Sequence, residues 1–305
     1  MSAPQEPCPK TGPTPQFKGW TKPGPIPKGM LTSPPSLEDL APASSGEAIT
    51  LDAISGHYRI YQLRNGHRFS TDDVLTAWYG TSHAPCARRV LDLGSGIGSV
   101  GMTAAWRLPF SQFVTVEAQA ISVELARRSA KFNDLEGRYE IRQGDFRERS
   151  VLPLPATTEE AFDLVLGSPP YWPESDGVTS EHPQKLACRF ELRGSIADYC
   201  QTAAEQLAPG GWFACVFPIQ PEHQEKRVFA GAEAAGLSVV RWRPIIFREG
   251  EAPLIGLFAM VKSTDLPEKF RSSPWREPAL IIRTKTGEIH PEYSMVKLSF
   301  GFPPG

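Results

Sequence analysis

The chain is poor in cysteine and lacks any long apolar segment. Its five cysteines are scattered along 305 residues without a Cys-x-x-Cys pair, which argues against a disulfide framework and against a zinc site. The longest apolar run, residues 254–261, is far shorter than the roughly 20 residues that a transmembrane helix needs. The N-terminus has no basic and then apolar secretory pattern. We therefore expect a cytoplasmic monomer with no metal and no membrane partner.

The chain also lacks an excess of charge of either sign. Its formal net charge is −2, and hydrophobic and charged residues make up 40% and 22% of it, as in ordinary globular proteins. A nucleic-acid partner would have to be met by a local basic surface, because no overall positive field attracts its phosphates. Composition neither supports nor excludes such a partner.

Proline is unevenly distributed and marks the first boundary. Residues 1–45 hold eleven of the thirty prolines, and such a segment can neither form a helix nor bury enough apolar surface to order itself. We predict a disordered Pro-rich arm over residues 1–45, one folded domain over residues 46–262 and a polar C-terminal extension over residues 263–305. The lysines of the arm, with Phe17 and Trp20, suit a phosphate backbone and stacked bases, although a solvated tail is the plainer interpretation.

The order of strand-like and helix-like segments predicts an α/β fold. Residues 49–54 and 57–63 are typical of a short N-terminal hairpin, because turn residues separate and follow them. Further strands alternate with helical patterns at residues 90–94, 113–118, 139–145, 162–170 and 211–218. Residues 238–247 and 253–261 are joined so closely that they must be antiparallel. We therefore predict a Rossmann-like, doubly wound, seven-stranded sheet, mostly parallel with a C-terminal antiparallel hairpin, and residues 280–282 as a candidate last strand.

A glycine-rich turn directly follows the first strand after the hairpin. It contains glycines at alternate positions, Gly94, Gly96 and Gly98. Only glycine lets the backbone turn this tightly before a helix and approach a ligand this closely. The pattern indicates a nucleotide cofactor, and by itself it does not distinguish NAD from S-adenosylmethionine.

Acidic residues near the ends of successive strands favour S-adenosylmethionine. Asp92 lies in the strand before the loop, and Glu117 ends the next strand, where a carboxylate can accept hydrogen bonds from both ribose hydroxyls. Asp145 follows the third strand, in position to accept one from the adenine amino group. Each acid alone is as well explained as a helix cap or a turn residue. Together they predict a cofactor at the carboxyl edge of the sheet.

The fourth strand ends in a rigid corner formed by Ser168, Pro169, Pro170 and Tyr171. The prolines hold the backbone extended and remove two N–H groups, which leaves carbonyl acceptors exposed toward the cleft. The Ser168 hydroxyl and the Pro169 carbonyl can accept both hydrogens of an aromatic amino group and favour a pyramidal nitrogen. Tyr171 and Trp172 would stack on the base. We therefore predict methyl transfer to an exocyclic amino nitrogen, with this corner as the catalytic element.

Together with the glycine loop, the corner resembles the (Asp/Asn/Ser)-Pro-Pro-(Tyr/Phe/Trp) motif of class I S-adenosylmethionine-dependent amino-methyltransferases. Residues 48–262 are most similar to the bacterial tRNA1(Val) adenine-37 N6-methyltransferase family. The resemblance implies S-adenosylmethionine as cofactor, RNA as partner and adenine N6 of a tRNA as the target. It also implies that Phe69 and Asp72 lie near the methionine end of the cofactor, with Ser168 beside it.

Ser168 departs from that family, which usually has asparagine at this position, and a hydroxyl is a weaker fixed acceptor than an amide oxygen. Three alternatives therefore stay open. The serine also resembles enzymes that methylate cytosine N4. Enzymes that methylate a glutamine side chain of release factors share the Pro-Pro-Tyr corner, but they typically have a helical N-terminal domain. The third alternative is a protein that binds the cofactor without catalysis.

Basic residues after the corner predict contacts with RNA phosphates. Lys185, Arg189 and Arg193 are spaced four apart, which would place three cations on one helix face beside the active site. Further cations lie in the C-terminal part, at Arg241, Arg243, Arg276, Arg283 and Lys285. With the N-terminal arm they can clamp a folded RNA, whose unpaired bases turn out readily. A solvated surface explains any one of them equally well.

Overall fold

A computed structural model describes residues 16–17, 20–24, 26–31, 40–173 and 182–303. Its strands are β1 (Gln16–Phe17), β2 (Trp20–Thr21), β3 (Ile49–Ser55), β4 (Tyr58–Leu63), β5 (Arg89–Leu93), β6 (Gln112–Glu117), β7 (Tyr139–Gln143), β8 (Phe162–Gly167), β9 (Leu207–Pro218), β10 (Leu237–Arg248), β11 (Ile255–Lys262), β12 (Trp275–Arg276) and β13 (Leu280–Arg283). Its helices are α1 (Lys28–Leu31), α2 (Thr71–His83), α3 (Ser99–Arg107), α4 (Ala120–Phe132), α5 (Pro183–Arg189), α6 (Ile196–Gln206), α7 (Glu222–Ala234) and α8 (Pro291–Leu298).

The central sheet confirms the predicted Rossmann-like, doubly wound α/β fold. Its strand order is β12-β10-β11-β9-β8-β5-β6-β7, and β13 also pairs with β10. The five strands from β9 to β7 in this order are parallel. Strand β11 is antiparallel to both of its neighbours, β9 and β10. The short connection between β10 and β11 requires the second of these pairings. Because the strand order reverses between β5 and β8, a crevice opens there at the carboxyl ends of the strands.

The prediction of seven strands was wrong, because the sheet has nine in the part of the chain that the structure describes. The C-terminal extension supplies the two additional strands, which both run parallel to β10 at its outer edge. The candidate strand at residues 280–282 is confirmed as β13. The extension also contributes side chains to the core of the domain. These are Leu280 and Ile282 from β13, Val296 from α8 and Phe300, which follows α8. The extension therefore completes the sheet edge.

The two faces of the sheet bury different helices. Because successive side chains of a strand point to opposite faces, Leu164 and Leu166 of β8 pack on one side and Val165 on the other. The first side is covered by α2, α3 and α4 together with the β3–β4 hairpin, and the second by α6 and α7. Within the described residues, no helix is long and apolar enough to cross a bilayer.

Several of the described residues within 1–45 contact the folded domain. The Arg128 guanidinium donates to the carbonyl oxygen of Ala41 at 3.0 Å, and the Ser44 amide donates to the Glu124 carboxylate at 3.2 Å. Lys28 forms an ion pair with Asp134 at 3.2 Å. These partners lie on or just after α4, so the local composition of the arm could not indicate them. Residues 1–15, 18–19, 25 and 32–39 of the predicted arm lie outside the described residues.

Candidate active site

A cleft of about 440 Å³ opens at the carboxyl ends of β5, β6 and β8. Most of the predicted site residues line it, namely Asp72, Asp92, Gly94, Gly96, Glu117, Asp145, Ser168, Pro169, Pro170, Tyr171, Trp172, Arg189 and Arg193. Three predicted site residues that the structure describes do not themselves line the cleft. Phe69 packs against the core under the sheet, Gly98 precedes the first turn of α3, and Lys185 lies on α5 away from the cleft wall.

The glycine loop forms the floor of the cleft. Gly94, Gly96 and Gly98 have φ angles of +59°, +55° and +88°, a left-handed conformation that side chains other than glycine rarely adopt. A Cβ atom on Gly94 would also collide with the Tyr199 hydroxyl. Next to it, Ser95 has a buried hydroxyl without a hydrogen-bond partner among the described residues. The loop therefore offers close backbone approach and an unused polar atom, which fits a bound nucleoside.

Glu117 braces this loop from the end of β6. Its carboxylate accepts hydrogen bonds from the Gly96 amide at 2.9 Å and from the Gln119 amide at 2.7 Å. Burial raises the pKa of Glu117, and these backbone hydrogen bonds oppose the shift. Each carboxylate oxygen has a second lone pair, so the group can still accept from two ribose hydroxyls. Its position fits the predicted ribose contact.

Asp145 has a partner that the sequence analysis missed. The Arg147 guanidinium donates to both oxygens of its carboxylate, at 2.9 Å from Nε to Oδ1 and 2.6 Å from Nη2 to Oδ2. The hydrogen bonds from Arg147 are the main cause of the lowered pKa of Asp145. An adenine amino group would have to share this carboxylate with Arg147. The spacing of two residues in Asp145-Phe146-Arg147 is the only signal of the pair in the sequence.

Two further carboxyl groups are buried beside the loop. Asp92 accepts from the Gly101 amide at 2.8 Å through Oδ2, while its buried Oδ1 has no partner among the described residues. Asp73, which the sequence analysis did not single out, accepts from the Ser70 amide and the Ser99 hydroxyl, both at 3.0 Å. Burial raises the pKa of both groups, to about 6 for Asp73. Buried carboxylates of this kind fit a cationic ligand, because its charge offsets their desolvation.

We expect Asp73→Asn to raise the free energy of unfolding of the cofactor-free protein by about 3 kcal/mol near pH 7. The Asp73 pKa is about 6 in the folded chain and 3.8 without burial. The folded state therefore binds the proton more tightly, and stability falls as the pH rises from about 3.8 to just above 6. An asparagine oxygen keeps both hydrogen bonds without the charge. Urea unfolding from pH 5 to pH 8 measures the difference, and a constant difference over this range would contradict the assignment.

The Ser168–Tyr171 corner is held against the cleft from several sides. The amides of Tyr171 and Trp172 both donate to the Arg189 carbonyl at 3.1 Å, and the Gln224 side chain donates to the Tyr171 carbonyl at 3.2 Å. The Tyr171 ring meets the ring of Phe217 edge to face, with centroids 5.9 Å apart. These contacts join the corner to α5, α7 and β9. It is therefore a rigid wall of the cleft.

Asp72 lines the cleft and contacts the corner. Its carboxylate accepts a hydrogen bond of 2.5 Å from the Tyr171 hydroxyl, so it orients the ring at the corner. Burial raises the pKa of Asp72, and the hydrogen bond from Tyr171 partly offsets this. The neighbouring His67 also lines the cleft, and burial together with Arg189 and Lys185 lowers its pKa. The sequence analysis did not single out His67.

The predicted helix face of three cations does not form. Helix α5 ends at Arg189, because Phe190 adopts an extended conformation with φ −111° and ψ 146° and forms a bridge with Trp172. Arg193 therefore lies in the turn that follows, where its charge acts on the carboxylates of Glu117 and Asp145. Arg189 and Arg193 both line the cleft, whereas Lys185 does not. Among the described residues there is also no group of three His, Cys, Asp or Glu side chains that could hold a metal ion.

Comparisons with known proteins show what part of the chain is similar to. Residues 79–188 match the family model of the methyltransferase small domain. A release factor glutamine methyltransferase from Aliivibrio fischeri is 30% identical over 152 residues, which are 48% of this chain and 51% of that protein. A tRNA1(Val) (adenine(37)-N6)-methyltransferase from Porphyromonas gingivalis is 29% identical over 153 residues, 50% of this chain and 58% of the relative. The chain thus spans little more than half the length of these two relatives.

A solved structure agrees with the fold. A predicted O-methyltransferase from Agrobacterium tumefaciens superposes with a TM-score of 0.57 and 22% identity, covering 76% of this chain and 98% of that one. At this identity the likeness is one of fold. The match of residues 79–188 to the methyltransferase small domain indicates S-adenosylmethionine as the cofactor.

Proposed function

We propose that this protein methylates an exocyclic amino group of a nucleic-acid base, and that the group is adenine N6 of a tRNA. One observation carries the proposal: the Ser168–Tyr171 corner and the glycine loop at Gly94 and Gly96 line the same cleft. An amino group held at the corner is therefore within the pocket that binds the methyl donor. The resemblance of the chain to a tRNA1(Val) (adenine(37)-N6)-methyltransferase supports the choice of base and of RNA.

The corner has the chemistry that an aromatic amino group needs. Such a nitrogen is a weak nucleophile because its lone pair is delocalised into the ring. The Ser168 hydroxyl and the Pro169 carbonyl accept its two hydrogens, which holds the nitrogen in place and directs the lone pair away from the ring. The cofactor supplies an electrophilic methyl group. The product loses a proton readily once its nitrogen is cationic, so this scheme does not depend on a strong general base.

The rim of the cleft provides contacts for the rest of a nucleotide. Trp172 is 36% exposed at the corner, and Arg189 lies beside it on the same wall. An aromatic ring can stack on a base, and a guanidinium can pair with a phosphate. Under this proposal the cytoplasm, where tRNA is found, is the place of action.

We expect labelled S-adenosylmethionine to transfer its methyl group to a pool of unmodified tRNA transcripts, with N6-methyladenosine as the product. Mass analysis of the nucleosides identifies the methylated base. If the product were N4-methylcytidine, the target base would be cytosine and not adenine. The affinity for the same transcripts is expected to fall as salt is added, because phosphate contacts release counterions. The logarithm of the association constant should decrease linearly with the logarithm of the salt concentration. Cofactor binding without transfer to any RNA would count against catalysis on RNA.

The second candidate is methylation of a glutamine side chain in a release factor, which the 30% identity to such an enzyme favours. An amide nitrogen is as delocalised as an aromatic amino group, so the same corner suits it. The two candidates separate in a parallel assay with purified release factors as the acceptor. Methylglutamine in the protein and none in the RNA would establish the second candidate.

A further inference from the structure

We propose that Asp73 distinguishes S-adenosylmethionine from its demethylated by-product, because its carboxylate faces the positively charged sulfur of the methyl donor. The proposal rests on the proposed function, in which this sulfur lies between the glycine loop and the Ser168–Tyr171 corner. Asp73 lines the same cleft as both of these elements. It would thus set which form of the cofactor the cleft retains.

The first turn of α2 joins the two sides of the cleft between which methyl transfer is proposed. Asp72 accepts a hydrogen bond of 2.5 Å from the Tyr171 hydroxyl at the corner. The next residue, Asp73, accepts one of 3.0 Å from the hydroxyl of Ser99, which begins α3 directly after the glycine loop. Adjacent Cα atoms are about 3.8 Å apart, so the two contacts lie close together. Asp73 is therefore the carboxylate on the side of the methyl donor.

One oxygen of the Asp73 carboxylate is left for a ligand. The Ser70 amide and the Ser99 hydroxyl both donate to Oδ2, each at 3.0 Å. Oδ1 receives no hydrogen bond from the described part of the chain, although the residue is buried and lines the cleft. Beside it, Asp92 has a buried Oδ1 that also lacks a partner among the described residues. The cleft thus contains two carboxyl groups that each have an unused acceptor atom.

The charge of Asp73 is not compensated by a cationic side chain. Within the part of the chain that the structure describes, no ion pair includes Asp72, Asp73 or Asp92. The titratable groups whose pKa values respond to the Asp73 charge lie on α2, β5, the corner and α5, and they are Asp72, Asp92, Tyr171 and Cys188. None of these groups carries a positive charge in either protonation state. A bound cation would supply the missing charge, and the carboxylate would favour its binding in return.

The two ligands that the cleft must exchange differ by one positive charge. S-adenosylmethionine has a sulfonium sulfur, whereas S-adenosylhomocysteine has a neutral thioether, and their ammonium group, ribose and adenine are the same. In the transfer a nitrogen–carbon bond forms as the carbon–sulfur bond breaks. The electron pair of the broken bond stays on sulfur, and the proton of the methylated nitrogen passes to solvent. Asp73 then loses its counter-charge, so the by-product is held less tightly than the donor.

The test measures the dissociation constants of both ligands for the full chain by calorimetry. It is done at about pH 8, where the Asp73 carboxyl, with its pKa of about 6, is ionised. We expect Asp73→Asn to weaken the binding of S-adenosylmethionine about tenfold, which corresponds to a sulfonium that lowers the Asp73 pKa by about one unit. The binding of S-adenosylhomocysteine should stay within about twofold, because an asparagine oxygen keeps the contacts to Ser70 and Ser99. Intact binding of the by-product also shows that the variant is folded.

Asp163→Asn is the matched control. The Asp163 carboxylate also accepts two hydrogen bonds at one oxygen, from the amides of Arg88 at 2.7 Å and Arg89 at 3.0 Å. It lies at the start of β8, at the end of the strand opposite the cleft. The control removes the same charge without changing the cleft, so both dissociation constants should stay within about twofold.

Proton release gives a second readout that does not depend on methyl transfer. In the free chain the Asp73 carboxyl is about half protonated near pH 6, and a cation beside it lowers its pKa and expels the proton. Calorimetry near pH 6 in two buffers of different ionisation enthalpy counts the protons. We expect S-adenosylmethionine to release up to about half a proton more from the unaltered chain than from Asp73→Asn, and S-adenosylhomocysteine to show no such difference. Other titrating groups of the cleft, such as His67, are common to both chains and cancel in the comparison.

The outcomes separate this proposal from the proposed function. Equal weakening of both ligands in Asp73→Asn would assign the carboxylate to the ammonium group that they share and would overturn the proposal. Unchanged binding of both ligands, or the same loss in Asp163→Asn, would overturn it as well. None of these results involves RNA, so methylated tRNA from the unaltered chain would still support the function. A loss confined to S-adenosylmethionine, without any methylated RNA, would support the role of Asp73 and count against the function.

Discussion

Replacement of Ser168 by alanine is expected to lower the turnover number for methyl transfer about 100-fold and to leave the dissociation constant for S-adenosylmethionine within about twofold. Ser168 lies at the end of β8, in the cleft wall that faces the glycine loop. Its hydroxyl is proposed to fix the reacting nitrogen, and no contact to the cofactor depends on it in that scheme. Single-turnover transfer to tRNA measures the first quantity, and isothermal titration calorimetry measures the second.

Two companion variants sharpen this test. Ser168→Asn restores an acceptor with a firmer amide oxygen and is expected to keep transfer within about tenfold of the unaltered chain. Tyr171→Phe keeps the ring but loses the 2.5 Å hydrogen bond to Asp72, so it should lose less turnover than Tyr171→Ala. A Ser168→Ala variant that lost cofactor affinity as strongly as turnover would refute the role given to the hydroxyl.

The fold could be predicted where its pattern is local. Buried parallel strands alternate with helices from β5 to β9, and the connection between β10 and β11 leaves only an antiparallel arrangement. Strand β12 has two residues, and its neighbour across the sheet is more than thirty positions away in the sequence, at Arg241. Neither periodicity nor turn residues indicate such a strand. The number of strands was therefore wrong although the architecture was confirmed.

The same distinction applies to the candidate site. The glycine loop and the proline corner are short sequence motifs, because their chemistry lies in the backbone, and residues of both line the cleft. Interactions between side chains far apart in the sequence were missed. The hydrogen bond from Tyr171 to Asp72 spans 99 positions, and that from Ser99 to Asp73 spans 26. Both depend on where α2 lies against the sheet, which the sequence pattern does not specify. The end of α5 at Arg189 likewise depends on pairing between Phe190 and Trp172.

Glu117→Ala is expected to weaken the binding of S-adenosylmethionine about 100-fold, the largest effect on cofactor affinity of any substitution proposed. A hydrogen bond to a charged group contributes about 1.5–3 kcal/mol, and the proposed ribose contact uses two of them. The variant also leaves the amides of Gly96 and Gln119 without their acceptor. In the unaltered chain these amides donate to the Glu117 carboxylate at 2.9 Å and 2.7 Å. The loop would lose its brace and the ribose its acceptor in the same change.

Glu117→Gln separates these two contributions. A glutamine side chain has one acceptor oxygen, so it can satisfy only one of the two amides and presents a donor to the other. We expect it to weaken cofactor binding by an amount between those of the unaltered chain and Glu117→Ala. The turnover number at saturating cofactor should change little in either variant, because the Ser168 corner is intact. Calorimetry measures the dissociation constant of the cofactor, and transfer assays on the same preparations measure turnover. An unchanged dissociation constant in Glu117→Ala would contradict the proposed contact between Glu117 and the ribose.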